Sequence, residues 1–252
     1  MREEYVRFLH HGKPTWGLRE DNRLGVLTAA PWNEPRGTGE VLSDSNVEWL
    51  APAEPTKIVC VGLNYQDHAS EMGHAIPDEP VLFLKPATAL LDPGKSIRLP
   101  RSSTRVDYEA ELALVVGKKV GPGTDDEDAI FGYCCGNDVT ARDLQKKDGQ
   151  WARAKGLDSF CPLGPSLVRG VDVSDLRIQC LVNGVGAQDS RTSQLIFAPH
   201  QIINFVADVM TLLPGDVILT GTPGGIGPLR AGDEVEVRIE SLGILSNLVI
   251  ER

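Results

Sequence analysis

Apolar residues in this 252-residue chain come in short runs closed by glycine or proline, and a single stretch repeats them at helical spacing. In "PHQIINFVADVMTLLPGD", Ile202, Phe205 or Val206, Val209 and Leu213 recur every three or four residues, and Pro214-Gly215 ends the pattern. The remaining runs have strand length: "KIVCVGLNY", "PVLFLKP", "SIRLP" and "VDYEAELALVV". In "DEVEVRIE", Val235, Val237 and Ile239 alternate with Glu236, Arg238 and Glu240, the pattern of a half-buried strand. Asn183-Gly184 predicts a two-residue hairpin turn. The regular alternation of strand and helix that builds a parallel sheet is missing. The expected fold class is therefore α+β and predominantly β.

Residues 1–55 read as a small β-rich unit. "EYVRFLHHGKPTWGL" suggests a strand, a Gly-Pro turn and a second strand, and "LGVL" a third. His10 and His11 fall at that turn and are expected to be solvent-exposed. The prolines of "APAEPT", residues 51–56, can extend neither a ladder nor a helix, so the boundary to a larger domain, 56–252, is placed there.

Thirty-five acidic residues against 25 basic ones give a formal charge of -10 without a compensating basic run, which argues against a nucleic-acid partner. Apolar runs are too short for a bilayer span, and "MREEYVRFLH" lacks the apolar segment of a secretory signal, so a cytoplasmic location with no membrane partner is expected. Five cysteines without a C-x-x-C pair or zinc spacing are expected to be free thiols packed as small hydrophobes.

The chemistry concentrates elsewhere. On a strand, alternate side chains share a face, so "VDYEAELALVV" would send Asp107, Glu109 and Glu111 the same way, followed by Ala113 and Val115. A face that starts acidic and ends apolar is either a solvated sheet edge or a cation site, where neighbouring carboxylates share a proton or an ion. All-oxygen ligands suit Mg²⁺, Mn²⁺ or Ca²⁺. Asp138 could be a third carboxylate or the cap of the helix that follows. Arg142 and Gln145, three apart, share a face of that helix, and Lys155 sits in an irregular, glycine-flanked stretch. His68 and Glu71, also three apart, could pair as an oriented general base. "TGTPGGIG" lacks the Gly-Lys-Ser/Thr of a nucleotide loop but could cup a carboxylate with its N–H groups and hydroxyls.

"VGLNYQDHASEMG", "FLKPATALL", "RVDYEAELALVVGKK", "GYCCGNDVTARDLQ", "GQWARAKGLDSFCPLGP", "QLIF" and "MTLLPGDVILTGTPGGIG", in this order from about residue 57, resemble the fumarylacetoacetate hydrolase family. The likeness is to its bacterial 2-hydroxyhepta-2,4-diene-1,7-dioate isomerases and acylpyruvate hydrolases. It implies a mixed β-sandwich roll with a small N-terminal β domain, usually as a homodimer. It further implies Mg²⁺ or Mn²⁺, with Ca²⁺ able to take its place, held by Glu109, Glu111 and Asp138. Arg142, Gln145 and Thr222 would bind substrate, and His68, Glu71 and Lys155 would be catalytic. Gly156, where members often have Ser, and the uncharged "NGVGAQD" hairpin depart from the pattern.

The implied substrate is a small 2-oxo acid, converted through a metal-stabilised enolate, most simply by isomerase or decarboxylase chemistry on a dienedioate in aromatic-compound catabolism. Acylpyruvate (fumarylpyruvate) hydrolase and oxaloacetate decarboxylase share that intermediate and are the alternatives. Arg191, Arg153 and Lys146 are the candidates to reach a distal carboxylate. A rival of another class is a non-catalytic protein that binds metal or a small acid.

Overall fold

The structure, a computed structural model, describes residues 1–67 and 76–251. Strands dominate it, in a mixed β architecture. The largest sheet has 12 strands, and its centre runs Glu3–His10, Cys161–Arg169, Ile130–Asn137, Ala110–Val116, Val217–Leu219, Ile58–Gly62, with Val81–Lys85 at the edge. A five-stranded sheet, Val185–Arg191, Arg177–Val182, Glu234–Ile239, Gly243–Glu251, Ile97–Leu99, packs on it. Leu112 and Cys135 of the first sheet meet Ile178, Val237 and Leu245 of the second in one buried cluster. Further along the same face, since Leu112 and Leu114 share it, Ile202, Ile203 and Val206 of the helix Pro199–Val209 cover Leu114 and Ile218.

Where the pattern is local, the expected elements form. Asn183 and Gly184 take φ of 53° and 76° between two strands of the second sheet, the left-handed pair a tight hairpin requires. All five cysteines are buried and unpaired. No helix of the described residues is long and apolar enough to cross a membrane.

Three expectations are corrected. The long helix stops at Val209, which is 58% exposed, because Met210 is extended and Leu212 instead exchanges backbone hydrogen bonds of 3.1 and 2.8 Å with Val120. The first hairpin turns at His11 and Gly12, with φ of 50° and 72°, and Pro14 lies inside the second strand, Lys13–Glu20. The acidic strand is not continuous. Val106–Tyr108 belongs to a small three-stranded sheet and Ala110–Val116 to the large one, with Glu109 between them. The Glu109 N–H donates to Asn137 Oδ1 at 3.0 Å and its carbonyl accepts from Asp138 N at 2.9 Å. A side chain from the neighbouring strand thus satisfies the N–H that a ladder would have used.

The N-terminal strands share the large sheet, since Tyr5 pairs with Leu167, and they enclose their own cluster of Val6, Phe8, Leu24 and Val26. The join is packed: Ala51 and Ala53 are fully buried. Just beyond it the buried Asp216 carboxylate accepts from Thr56 N (2.9 Å), Thr56 Oγ1 (2.7 Å), Lys57 N (3.2 Å), Lys57 Nζ (2.5 Å) and Leu213 N (2.8 Å).

Candidate active site

The break at Glu109 faces the loop after Ile130–Asn137, and together they bring Glu109, Glu111 and Asp138 into one buried group. One carboxylate oxygen from each lies within 4.8 Å of the others. The helix Arg142–Asp148 starts after Ala141 without a side-chain cap, so Asp138 is not its cap.

Cations meet this group from two sides. Lys155 Nζ donates to Glu109 Oε2 at 2.8 Å and to Asp138 Oδ2 at 2.5 Å. Lys85 Nζ, fully buried, binds the other Asp138 oxygen and donates to Val139 O at 3.1 Å. Arg142 donates through Nε to Asp107 Oδ2 at 2.8 Å, through NH1 to Gln145 Oε1 at 2.6 Å, and through NH2 to Glu109. Arg105 takes the remaining Asp107 oxygen at 2.8 Å. Asp107 therefore stands behind Arg142 and outside the three-carboxylate group.

Burial pushes the Glu109 carboxyl upward, but Lys155 and Arg142 together outweigh it and bring it to about 2. Burial also drives Lys155 downward, and the Asp138 and Glu109 charges more than reverse this, so it stays an ammonium. Glu111 goes the other way. Burial, then the Asp138 and Glu109 charges, push it well above the usual carboxylate range against the opposing Lys155 charge and the Gly221 N–H at 2.7 Å. No cation among the described residues bonds Glu111 directly. A buried oxygen set with one carboxylate left uncompensated fits a hard divalent cation.

These residues line a cleft of about 440 Å³ that also takes in Gln145, Lys146 and Thr222. Its apolar wall includes Phe83 and Trp151, whose rings meet edge to face at 5.1 Å. Gly62 leaves room for the Trp151 ring, because a Cβ at that position would lie 3.0 Å from it and the ring would have to shift. Thr222 Oγ1 donates to Ala110 O at 2.9 Å and accepts from Gln188 Nε2 at 2.9 Å, so its hydroxyl can meet a ligand only as an acceptor.

Of the three cations considered for a distal carboxylate, Lys146 lines the cleft. Arg153 is paired with Asp148 and Arg191 with Asp175 on the exposed surface. His68 and Glu71 lie outside the described residues. Lys85, Asn137, Gln188 and Trp151 carry site geometry that sequence reasoning missed. Lys85 had one signal: a lysine closing the apolar run "VLFL" directly before a proline. It is the one buried position of its strand.

Residues 57–250 match the family described as Fumarylacetoacetate (FAA) hydrolase C-terminal, and residues 3–52 match Rv2993c-like, N-terminal. The chain is 55% identical to an uncharacterized protein of Methanocaldococcus jannaschii over 78% of its own length and 84% of that protein's. It is 44% identical to a mitochondrial oxaloacetate tautomerase of Bos taurus over 97% of this chain and 79% of that one. The crystal structure of 2-hydroxyhepta-2,4-diene-1,7-dioate isomerase from Mycobacterium marinum superposes with a TM-score of 0.91 at 40% identity, covering 99% of both chains.

Proposed function

The chain belongs to the fumarylacetoacetate hydrolase family, and from that premise we propose that it is a divalent-metal-dependent enzyme acting on small 2-oxo (enol) acids, by the chemistry of a 2-hydroxyhepta-2,4-diene-1,7-dioate isomerase/decarboxylase. The observation that carries this reading is the three-carboxylate group sharing one cleft with Lys155 and Arg142. Glu109, Glu111 and Asp138 would hold Mg²⁺ or Mn²⁺, with Ca²⁺ as a substitute, and the bound ion would supply Lewis-acid polarisation of the 2-oxo acid.

The chain's own residues do the rest. Lys155 uses two N–H bonds on Glu109 and Asp138, leaving its third for the substrate oxygen on which negative charge develops. Arg142 has three of its five N–H groups engaged, and the other two can hold a substrate carboxylate. Gln145 accepts from Arg142 through its carbonyl oxygen, which leaves its amide N–H groups facing the same ligand. Phe83 and Trp151 exclude water from the reacting carbons. Lys146 and Arg105, both lining the cleft, are assigned to a distal carboxylate. His68, oriented by Glu71, is assigned to proton transfer or water activation.

Oxaloacetate tautomerisation is a second reading, favoured by the bovine relative; it needs only proton transfer between carbon and oxygen of a shorter 2-oxo diacid. Acylpyruvate (fumarylpyruvate) hydrolysis and oxaloacetate decarboxylation remain alternatives, and non-catalytic binding of metal or a small acid is the rival class. The proposal includes a cytoplasmic homodimer with no nucleic-acid or membrane partner, divided into units 1–55 and 56–252. Val81 and Leu84, exposed on the edge strand, and Val209 beside them supply apolar surface for a second copy.

The test is turnover of metal-stripped protein, with and without Mg²⁺ or Mn²⁺, on 2-hydroxyhepta-2,4-dienedioate, acetylpyruvate, and oxaloacetate followed for both decarboxylation and tautomerisation. Metal-dependent turnover abolished by Glu109→Ala is expected. Metal binding with no turnover of any of them would move the binding-protein reading to the front.

A further inference from the structure

A second group of ligand-type side chains lies at the N-terminal hairpin, away from the cleft. His10 ends the strand Glu3–His10, His11 forms the turn, and Glu40 comes from Gly37–Ser43. Glu48–Leu50, which follows Gly37–Ser43 closely, returns to pair with Glu3–His10, Leu9 facing Glu48, so this part of the chain curls back to the hairpin tip. The expected solvent exposure of both histidines is only partly met: the His10 side chain is 18% exposed and its Nε2 lies 3.2 Å from Glu40 Oε2. The two imidazole rings approach to 4.0 Å between centroids.

One ligand atom from each of the three residues lies within 4.8 Å of the other two. Two ligands at about 2.0–2.1 Å from a tetrahedral ion are about 3.3 Å apart. The His10–Glu40 separation already matches this, and the exposed His11 side chain can rotate to close the rest. Two imidazoles and one carboxylate are also the wrong donors for Mg²⁺ or Ca²⁺ and the right ones for a borderline transition ion. We propose that His10, His11 and Glu40 form a second metal site, selective for Zn²⁺ or a similar divalent transition ion, that ties the hairpin tip to Gly37–Ser43. A water completes the coordination, and the all-oxygen site in the cleft is separate in place and in metal preference. Lys13, the ladder partner of His10, is the cation next to the site and weakens it without occupying a ligand position, whereas Arg7 and Arg19 on the same hairpin are paired with Glu54 and with Glu4 and Asp44.

The test is calorimetric titration of Zn²⁺ into the metal-stripped full-length protein with millimolar Mg²⁺ present to occupy carboxylate-only sites. One saturable Zn²⁺ equivalent is expected, weakened at least about tenfold by His10→Gln and by His11→Asn, and less by Glu40→Gln. Asn is chosen at 11 because it tolerates the left-handed backbone. Melting curves in chelator should match the wild type for all three, showing that the fold is kept. Co²⁺ in place of Zn²⁺ should give a visible d–d band that both histidine variants lose. No saturable Zn²⁺ would reduce the cluster to a His10–Glu40 hydrogen bond, and unchanged binding in the variants would put the ion elsewhere. Either result overturns the proposal.

Discussion

Glu111→Gln is expected to stabilise the metal-free protein at neutral pH while destroying its response to metal. In the folded state the Glu111 carboxyl is raised by burial and by Asp138 and Glu109, and its one direct partner among the described residues is the Gly221 N–H at 2.7 Å. An amide oxygen can accept that same bond, so the substitution removes the cost of charge without removing the contact. An acid raised on folding binds more protons in the folded state than in the unfolded one. Stability therefore falls as pH rises from the unfolded value, about 4.3, towards the folded one. At pH 7 the loss can reach at most about 1.36 × (7 − 4.3), or about 3.7 kcal/mol. At about 2–4 °C per kcal/mol for a chain of this size, the ceiling on the gain is about 7–15 °C.

The assay is thermal melting of both proteins in chelator between pH 4 and pH 7.5, repeated with Mg²⁺ or Mn²⁺. The variant should match the wild type near pH 4 and exceed it increasingly towards pH 7. Saturating metal should then reverse the order, because metal at 100 times its Kd adds about 2.7 kcal/mol to the wild type and far less to a variant lacking a ligand. A variant that melts lower than wild type at pH 7 in chelator would refute the argument, as would a gain of equal size at both ends of the pH range.

Asp216→Asn should lower Tm by about 6–12 °C at pH 7, the low end of the about 3–5 kcal/mol for breaking a buried pair, since Lys57 is partly exposed. Burial raises the Asp216 carboxyl, but hydrogen bonds from Lys57, Thr56 and Leu213 N–H hold it below the usual range, so its stabilisation is present above about pH 3.9 and lost as pH falls through the folded value; melts in acid should converge for the two proteins. Lys85→Met should destabilise metal-free protein by about 3–5 kcal/mol, because Asp138 loses one of two buried ammoniums, and added Mg²⁺ should recover part of the loss in the same melting assay. Gly62→Val should raise KM more than it lowers Tm, because its side chain enters the space of the Trp151 ring at the cleft wall, and steady-state kinetics beside a melt would separate the two effects.

Strands and turns were legible in the sequence because their signals are local: alternation in Glu234–Ile239 and the left-handed pair Asn183-Gly184 each depend on neighbours within a few residues. The three carboxylates, Lys155 and Arg142 were legible as residue types, and the structure gathers them. The contacts that tune them were not, because each is made by a side chain distant in sequence. Lys85 meets Asp138 across 53 positions, and Gln188 fixes the Thr222 hydroxyl across 34. The break at Glu109 shows why this matters. Strict alternation would have put Asp107, Glu109 and Glu111 on one face, three carboxylates before Asp138 is counted. Asn137, from the next strand, takes the Glu109 N–H and ends the ladder there, leaving Asp107 to anchor Arg105 and Arg142. A fourth carboxylate in the group would have added another charge to a site where Glu111 has no direct cation partner among the described residues. The interruption leaves three ligands for an ion and assigns the fourth acid to holding the guanidinium beside them.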